Sequence, residues 1–325
     1  MRRHLITGGL GFIAVNLAAR LRRRGDQVLL LDNLSRGRRA NLGALACDHG
    51  VAVAVADCVD PEAVARAAGD AGFAEADEVW HLAANSDIPA GLADLRLDAC
   101  DTLLTTTGVL EAMRALGLRT LNFASSSAVY GDSGAWRLDE TSGPLEPISN
   151  YGAMKLASEA QIRAACESFI GTANVFRFPN VVGVPATHGV LLDFVRKLRR
   201  TPRRLEVLGD GAQRKPYLHV ADLVDAMLFA VLALGPGRHV LNIGPPDDGI
   251  TVREIAALVT AAVAPGAEIV FGTGKGGWVG DVPRVAYSLE RLHKLGWRGE
   301  RGSEAAIRLA LAEVVEQEQG ALCNP

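Results

Sequence analysis

Apolar residues along this chain fall into short unbroken runs separated by longer stretches of helical periodicity. Runs of strand length occur at HLITGG, QVLLLD, VAVAVAD, EVWHLAA, TLNFASS, ANVFRF and HVLNIG. Most are apolar throughout rather than alternating, the pattern of strands buried on both faces. Between most of them lie helix-length stretches, among them Phe12 to Arg24, Pro61 to Ala68, Leu92 to Leu116 and Asn150 to Phe169. Strands alternating with helices predict an α/β fold, a doubly wound parallel sheet covered on both faces. Ligands of such sheets sit at the carboxyl ends of the strands.

Pro and Gly become dense after Phe178, and the regular alternation stops there. The expected organisation is a first domain of residues 1–178 plus about 209–244, and a smaller lobe of 179–208 plus 245–325. The segment YLHVADLVDAMLFAVLAL and the strand HVLNIG return to the first domain, so the two interleave along the chain. The lobe is expected to wrap over the carboxyl edge of the sheet and supply substrate contacts. A length of 325 residues suits two such parts.

Composition narrows the partners. The net charge is −3, which gives nucleic acid no electrostatic footprint. No apolar stretch is long enough to span a bilayer, and the start MRRHLITGG has no apolar signal core. The five cysteines, Cys47, Cys58, Cys100, Cys166 and Cys323, are odd in number and scattered. Free thiols in a reducing cytoplasm are the expectation, with no membrane and no nucleic acid partner. No histidine and carboxylate spacing suggests a metal site.

Two stretches carry chemistry. TGGLGFIA follows the first strand and opens the first helix. Gly8 and Gly11 permit a tight turn and close approach of backbone to a pyrophosphate, and the helix start at Phe12 and Ile13 offers amide donors. Asp32 ends the second strand a little over twenty residues later, where a carboxylate accepts from the adenosine ribose hydroxyls. It would repel a 2′-phosphate, so NAD is favoured over NADP, with the nearby Arg36 and Arg38 pulling the other way. Asp57 and Cys58 end the third strand, and Ala83 and Ala84 end the fourth; the small alanines let a dinucleotide lie close. Asp57 serves equally well as an adenine contact or a helix cap before Pro61. His81, inside an apolar strand, reads as a hydrogen-bonded core histidine.

The second stretch pairs FASSSAVYG with NYGAMK. Tyr151 lies four residues before Lys155, on one helical face. A phenol beside a fixed ammonium is a base whose pKa can be drawn down from about 10. With the serines Ser125, Ser126 and Ser127 nearby, it can deprotonate an alcohol while a dinucleotide takes the hydride. A serine hydrolase is disfavoured, because no nucleophile elbow surrounds the serines.

With these residues in place the chain resembles the extended short-chain dehydrogenase/reductase superfamily, and more closely its NAD-dependent nucleotide-sugar epimerases and dehydratases. Further matching stretches are LDNLSRG, HLAA, ISNYGAMKLASE, RFPNVVG, LEVLGDGAQRKPYLHVADLVDA and GWVGDV. Within that group it is most similar to the UDP-glucose (galactose) 4-epimerase branch. The resemblance implies a Rossmann domain, NAD, a UDP-sugar substrate and a homodimer paired through the helices near 92–116 and 150–169. It implies Tyr151 as base, Lys155 on the nicotinamide ribose and lowering the phenol, and Ser126 on the reacting sugar oxygen. The implied cofactor set adds Asn33, Ser35, Leu82, Ser125, Phe178 and Pro179 to the residues above. The implied substrate set is Ser126, Ser127, Asn180, Gly189, Val190, Arg214, Lys215 and Asp281.

Departures from the family pattern also inform. Dehydratases carry an Asp-Glu pair after the catalytic Ser or Thr, where this chain has Ser127 and Ala128. Trp278 stands where many relatives have a phosphate-binding Arg, Thr102 where an Asn is common, and Val285 near the position that gates sugar size. The implied activity is inversion at C4 of a nucleotide sugar. The alternatives are a nucleotide-sugar dehydrogenase or reductase, a 4,6-dehydratase, and a dinucleotide-binding sensor without chemistry, which would have no need of Ser126, Tyr151 and Lys155.

Overall fold

The computed structural model of the protein describes residues 1–132, 134, 137–274 and 286–323. They divide into two compact units that alternate along the chain. The first comprises Met1–Gly131, Pro144–Arg177 and Met227–Leu241, the second Asp132–Gly143, Phe178–Ala226 and Asn242–Pro325. Apart from the unit boundaries at Phe178 and Asn242, the division differs from the expected one in two segments. Residues 209–226 belong to the second unit, because Tyr217–His219 pairs in parallel with Asn180–Val182. Asp132–Gly143 joins it too, because Arg137–Leu138 pairs with Ala286–Tyr287.

In the first unit, β1 (Arg3–Thr7), β2 (Gln27–Asp32), β3 (Val51–Val55), β4 (Glu78–His81) and β5 (Thr120–Ala124) build a seven-stranded sheet with Thr172–Arg177 and Gly237–Asn242. The order is Gly237–Asn242, Thr172–Arg177, β5, β4, β1, β2, β3. The pairings of β1 with β2 and β4, of β2 with β3, and of β5 with β4 and Thr172–Arg177 are parallel. The chain runs outward from β1 through β2 to β3, then resumes at β4 on the other side of β1. The reversal opens a crevice at the carboxyl ends of β1 and β4. The apolar runs form the core: Leu5, Leu29, Leu31, Val79, Leu121 and Phe123 are at most 1% exposed and pack against Val109, Met113 and Ile162 of the covering helices.

Local signals explain the helices that frame this crevice. α1 (Phe12–Arg23) starts at Gly11 and ends with Arg20, Arg22 and Arg23, cations that suit the helix carboxyl end. α2 (Pro61–Asp70) is capped by Asp60, which accepts from the Glu62 and Ala63 amides. The cap before Pro61 is therefore Asp60 and not Asp57, which accepts from the Val59 amide instead. The helix expected over 92–116 is broken into Ile88–Ala93, Leu95–Asp98, a π-helical turn Ala99–Leu104 and Thr105–Leu116. Asp94 caps the second piece by accepting from the Arg96 amide. The helix Asn150–Cys166 begins as expected, with Ser149 accepting from the Gly152 amide.

The second unit has its own core of Leu191, Val195, Leu198, Leu205, Ile255, Val259, Ile307 and Val314. Among the described residues its strands pair two by two. No helix among the described residues is long and apolar enough to cross a membrane.

Candidate functional site

The turn between β1 and α1 is shaped by missing side chains. Gly8 takes φ +62, and a Cβ there would lie 2.9 Å from the Ala83 backbone at the end of β4. A Cβ on Gly9 would lie 2.6 Å from the Leu30 Cβ. The Gly11 amide donates to the Gly8 carbonyl at 2.9 Å. No side chain caps the N-terminus of α1, so its first amides, at Phe12 and Ile13, have no capping acceptor. Such a cradle suits a pyrophosphate, as oriented amides and the helix dipole both favour an anion.

Asp32 closes the far end of the cradle. It is 6% exposed and accepts from the Leu10 amide at 3.0 Å and the Leu34 amide at 2.8 Å. Each carboxylate oxygen keeps a further acceptor position, which fits ribose hydroxyls. Gly37 passes so close that a Cβ would strike this carboxylate. Asn33 and Ser35 lie in the same loop, where Asn33 accepts from the Ser35 amide and hydroxyl. Asn33 also donates to Asp57 at 3.4 Å. Arg36 is committed elsewhere: its guanidinium donates to the Asn85 side-chain oxygen at 2.8 Å and lies 3.9 Å from Asp87.

Cys58 and His81 line the inside of this region. Burial pushes the Cys58 thiol up to about 12, with the charges of Asp57 and Asp32 adding to the effect. His81 is completely buried between the Thr7 hydroxyl at 2.7 Å and the Thr106 hydroxyl at 3.0 Å. Burial, helped by the Lys155 charge, pulls its pKa down to about 3, so it is a neutral core histidine. Leu82, Ala83 and Ala84 follow β4 directly, and the Ala83 amide lies 3.4 Å from the Thr7 hydroxyl oxygen.

The catalytic candidates gather at the end of β5. Ser126 caps a short helical turn, Ser127–Tyr130, by accepting from the Ala128 amide at 3.1 Å. The Tyr151 hydroxyl has the Ser126 side chain as a neighbour that favours its ionised form. Lys155 is 2% exposed; its ammonium donates to the Ala124 carbonyl at 2.6 Å and lies 5.9 Å from the Tyr151 ring centre. Burial draws the Lys155 pKa down to about 7, against the raising effect of Glu159. The expected lowering of the phenol does not occur in the chain alone. Burial pushes Tyr151 up to about 12, the neighbouring Ser126 works against this, and the Asp98 charge adds to it.

The Ser125 side chain faces inward. It is 1% exposed and donates to Glu159 at 2.5 Å. Glu159 in turn holds Arg177 through two hydrogen bonds of 2.9 and 2.6 Å. This buried pair and the Asn85, Asp98 and Asn150 cluster have no motif signature. They involve single residues at spacings no sequence pattern singles out.

Seventeen of the residues singled out, Gly8 to Cys58, Leu82 to Ala84, Ser125 to Ser127, Tyr151 and Lys155, belong to the first unit. Phe178, Pro179, Asn180, Gly189, Val190, Arg214 and Lys215 belong to the second. There Asn180 opens the strand paired with Tyr217–His219 and is exposed. Gly189, at φ +104, precedes the helix Val190–Arg200, whose N-terminus has no side-chain cap. Arg214 donates to the Gly249 carbonyl at 2.5 Å and to Glu254 at 3.4 Å. Lys215 follows it, opposite Ile250. Asp281, Trp278 and Val285 lie outside the described residues.

Comparison with known proteins agrees with this cradle. The NAD dependent epimerase/dehydratase family matches residues 4–244. A UDP-glucose 4-epimerase of Streptomyces lividans is 29% identical over 323 residues, covering 94% of each chain. A crystal structure of a UDP-galactose 4-epimerase superposes with a TM-score of 0.84 at 34% identity, over 97% of this chain and 99% of the other. A Thermus thermophilus UDP-glucose 4-epimerase in complex with NAD gives 0.84 at 30% identity, over 96% and 99%. The chain belongs to the NAD dependent epimerase/dehydratase family, and its cofactor is NAD.

Proposed function

We propose that this protein inverts C4 of a nucleotide-diphosphate sugar, with a UDP-sugar as substrate. The observation that carries the reading is Tyr151 with Ser126 as neighbour and an anchored Lys155 one helical turn on, and with Ser127 and Ala128 after Ser126 in place of an acid pair. The names of the relatives support the substrate class.

Bound NAD supplies the acceptor and return donor for the C4 hydride, and the positive charge of its oxidised ring favours a phenolate nearby. Gly8, Gly11 and the open N-terminus of α1 would hold the pyrophosphate, and Asp32 the adenosine ribose. Tyr151 takes the proton of the C4 hydroxyl as that carbon becomes a carbonyl. Ser126 hydrogen-bonds the same sugar oxygen and fixes its direction. Lys155 would hold the nicotinamide ribose, and its ammonium adds positive charge beside the phenol. After the keto sugar turns over, Tyr151 returns the proton to the oxygen, so the cycle balances without net oxidation. Asn180, Gly189, Val190, Lys215 and Arg214 are assigned to the nucleoside diphosphate, with Arg214 giving up its Glu254 contact. Elimination of water would need carboxyl groups that Ser127 and Ala128 lack. We extend the reading to a homodimer, which sedimentation at micromolar concentration checks.

The test is incubation of the NAD-loaded protein with a panel of nucleotide sugars, read by NMR. The expected product is the C4 epimer alone. A 4-keto-6-deoxy sugar, or accumulating NADH, would replace this reading with a dehydratase or a dehydrogenase.

A further inference from the structure

Asp98 is completely buried, and no motif points to it. It ends the helix Leu95–Asp98, immediately before the π-helical turn Ala99–Leu104. One carboxylate oxygen accepts from the Asn85 amide at 2.8 Å, the other from the Asn150 amide at 3.1 Å. Two donors on two oxygens fit an ionised carboxylate, since a protonated one would offer a donor of its own. A buried charge held only by neutral amides is costly, so a fold that keeps one invites an explanation beyond stability.

The contacts of Asp98 run in two directions. Asn150 is the first residue of the helix that carries Tyr151, and its amide also donates to the Leu95 carbonyl at 3.1 Å. Asn85, itself 1% exposed, accepts from Arg36 in the loop after Asp32 and from the Asp87 amide at 3.0 Å. Its own backbone amide donates to Thr102 in the π-helical turn at 3.2 Å. Gly91 lets the segment close over the carboxylate, for a Cβ there would strike it. The loop after the ribose-binding strand is thus joined to the tyrosine helix by one unbroken line, Arg36, Asn85, Asp98, Asn150.

We propose that Asp98 is a positioning residue, which fixes the helical turn bearing Tyr151 and ties it to the Arg36 loop of the cofactor cradle. The proposal rests on Tyr151 being the base in the reading above. Asp98 also acts through its charge, which opposes ionisation of the phenol. The charged and titratable groups facing the pair are Asp87 and Arg36 from the two loops, Asp101 from the π-helical turn, and Lys155 with Glu159 from the helix carrying Tyr151. Of these, Asp98 is the carboxylate bonded to that helix's first residue.

The experiment uses the NAD-loaded full chain with Asp98→Asn. Tyrosinate absorbance is followed against pH, with Tyr151→Phe as the blank, and kcat and KM are measured across the same range. The substitution removes a negative charge, so the Tyr151 phenolate is expected to form at lower pH than in the wild type. The acid limb of kcat moves the same way. At neutral pH kcat falls severalfold with KM little changed, because a misplaced base harms the chemical step. An unmoved titration and an unmoved kcat profile would overturn the proposal. Should the variant not retain NAD, Asn150→Ala and Asn150→Gln decide it. Glutamine keeps an amide donor and is expected to recover several-fold of the kcat that alanine loses, whereas equal losses overturn it. If no nucleotide sugar is turned over at all, the epimerase reading fails, yet the titration still settles the role of Asp98.

Discussion

The glycine turn around residues 8–37 and the polar interior around residues 81–177 belong to one compact unit but are built on opposite principles. The turn works by leaving side chains out. Gly8 and Gly37 approach Ala83 and Asp32 where a Cβ would collide, and the recognition groups are backbone amides. The interior works by side chains that satisfy one another. His81 sits between two threonines, Asp98 between two asparagines, and Glu159 between Ser125 and Arg177. The first arrangement has a strict sequence requirement and leaves a motif. The second can be met by many combinations of polar residues, so it leaves none.

The two regions should fail differently. The largest effect expected is for Tyr151→Phe, at least ~100-fold in kcat for a lost acid/base group, with bound NAD retained. Loss of the dinucleotide together with activity would place Tyr151 in the cradle's structure rather than in the chemistry. Next comes Gly8→Ala, which puts a Cβ 2.9 Å from the Ala83 backbone at φ +62. It should cost about 2–3 kcal/mol of stability and most NAD affinity, read by denaturant melts and by dinucleotide titration. A variant that binds NAD normally would show that the turn is roomier than its geometry implies. Asp32→Ala should be milder, weakening NAD about tenfold while relaxing its preference over NADP, the scale of one or two hydrogen bonds to a charged group. Equal affinities before and after would remove the ribose role.

A pH-dependent effect separates the polar interior most cleanly. His81 has its pKa pulled from 6.5 down to about 3 in the folded chain. The unfolded chain binds a proton below about 6.5 that the folded one refuses until about 3. Stability from the neutral imidazole is therefore present above 6.5 and lost on acidification through that window, by up to about 1.4 kcal/mol per pH unit. Urea melts across the range should show the gap between wild type and His81→Gln narrowing as pH falls. A gap independent of pH would mean that His81 is not held neutral.

What was legible in the sequence follows the same division. Unbroken apolar runs mark all seven strands of the sheet, and those with both faces covered, such as Arg3–Thr7 and Gln27–Asp32, leave no polar alternation to confuse them. The glycines and Asp32 marked the cradle, since only those residues fit it. Apolar spacing persists through the π-helical turn at Ala99–Leu104, so periodicity predicts one continuous helix over 92–116. Asp60 won the cap before Pro61 by standing one residue upstream, where its side chain reaches the first free amides. The state of Tyr151 was not legible either, because the field at a phenol depends on where Lys155 points and on a carboxylate more than fifty residues away. The second unit was hardest, as two-residue strands such as Arg214–Lys215 carry too little periodicity to register.

The fate of the hydrogen at C4 is the decisive measurement. The NAD-loaded protein is to be incubated with a nucleotide sugar deuterated at C4, and the product followed by NMR and mass spectrometry. The prediction is an inverted product with the label still at C4, no label in solvent and no net NADH, because the same hydride leaves and returns. Label released to solvent, or a dehydrated 4-keto product, would contradict it.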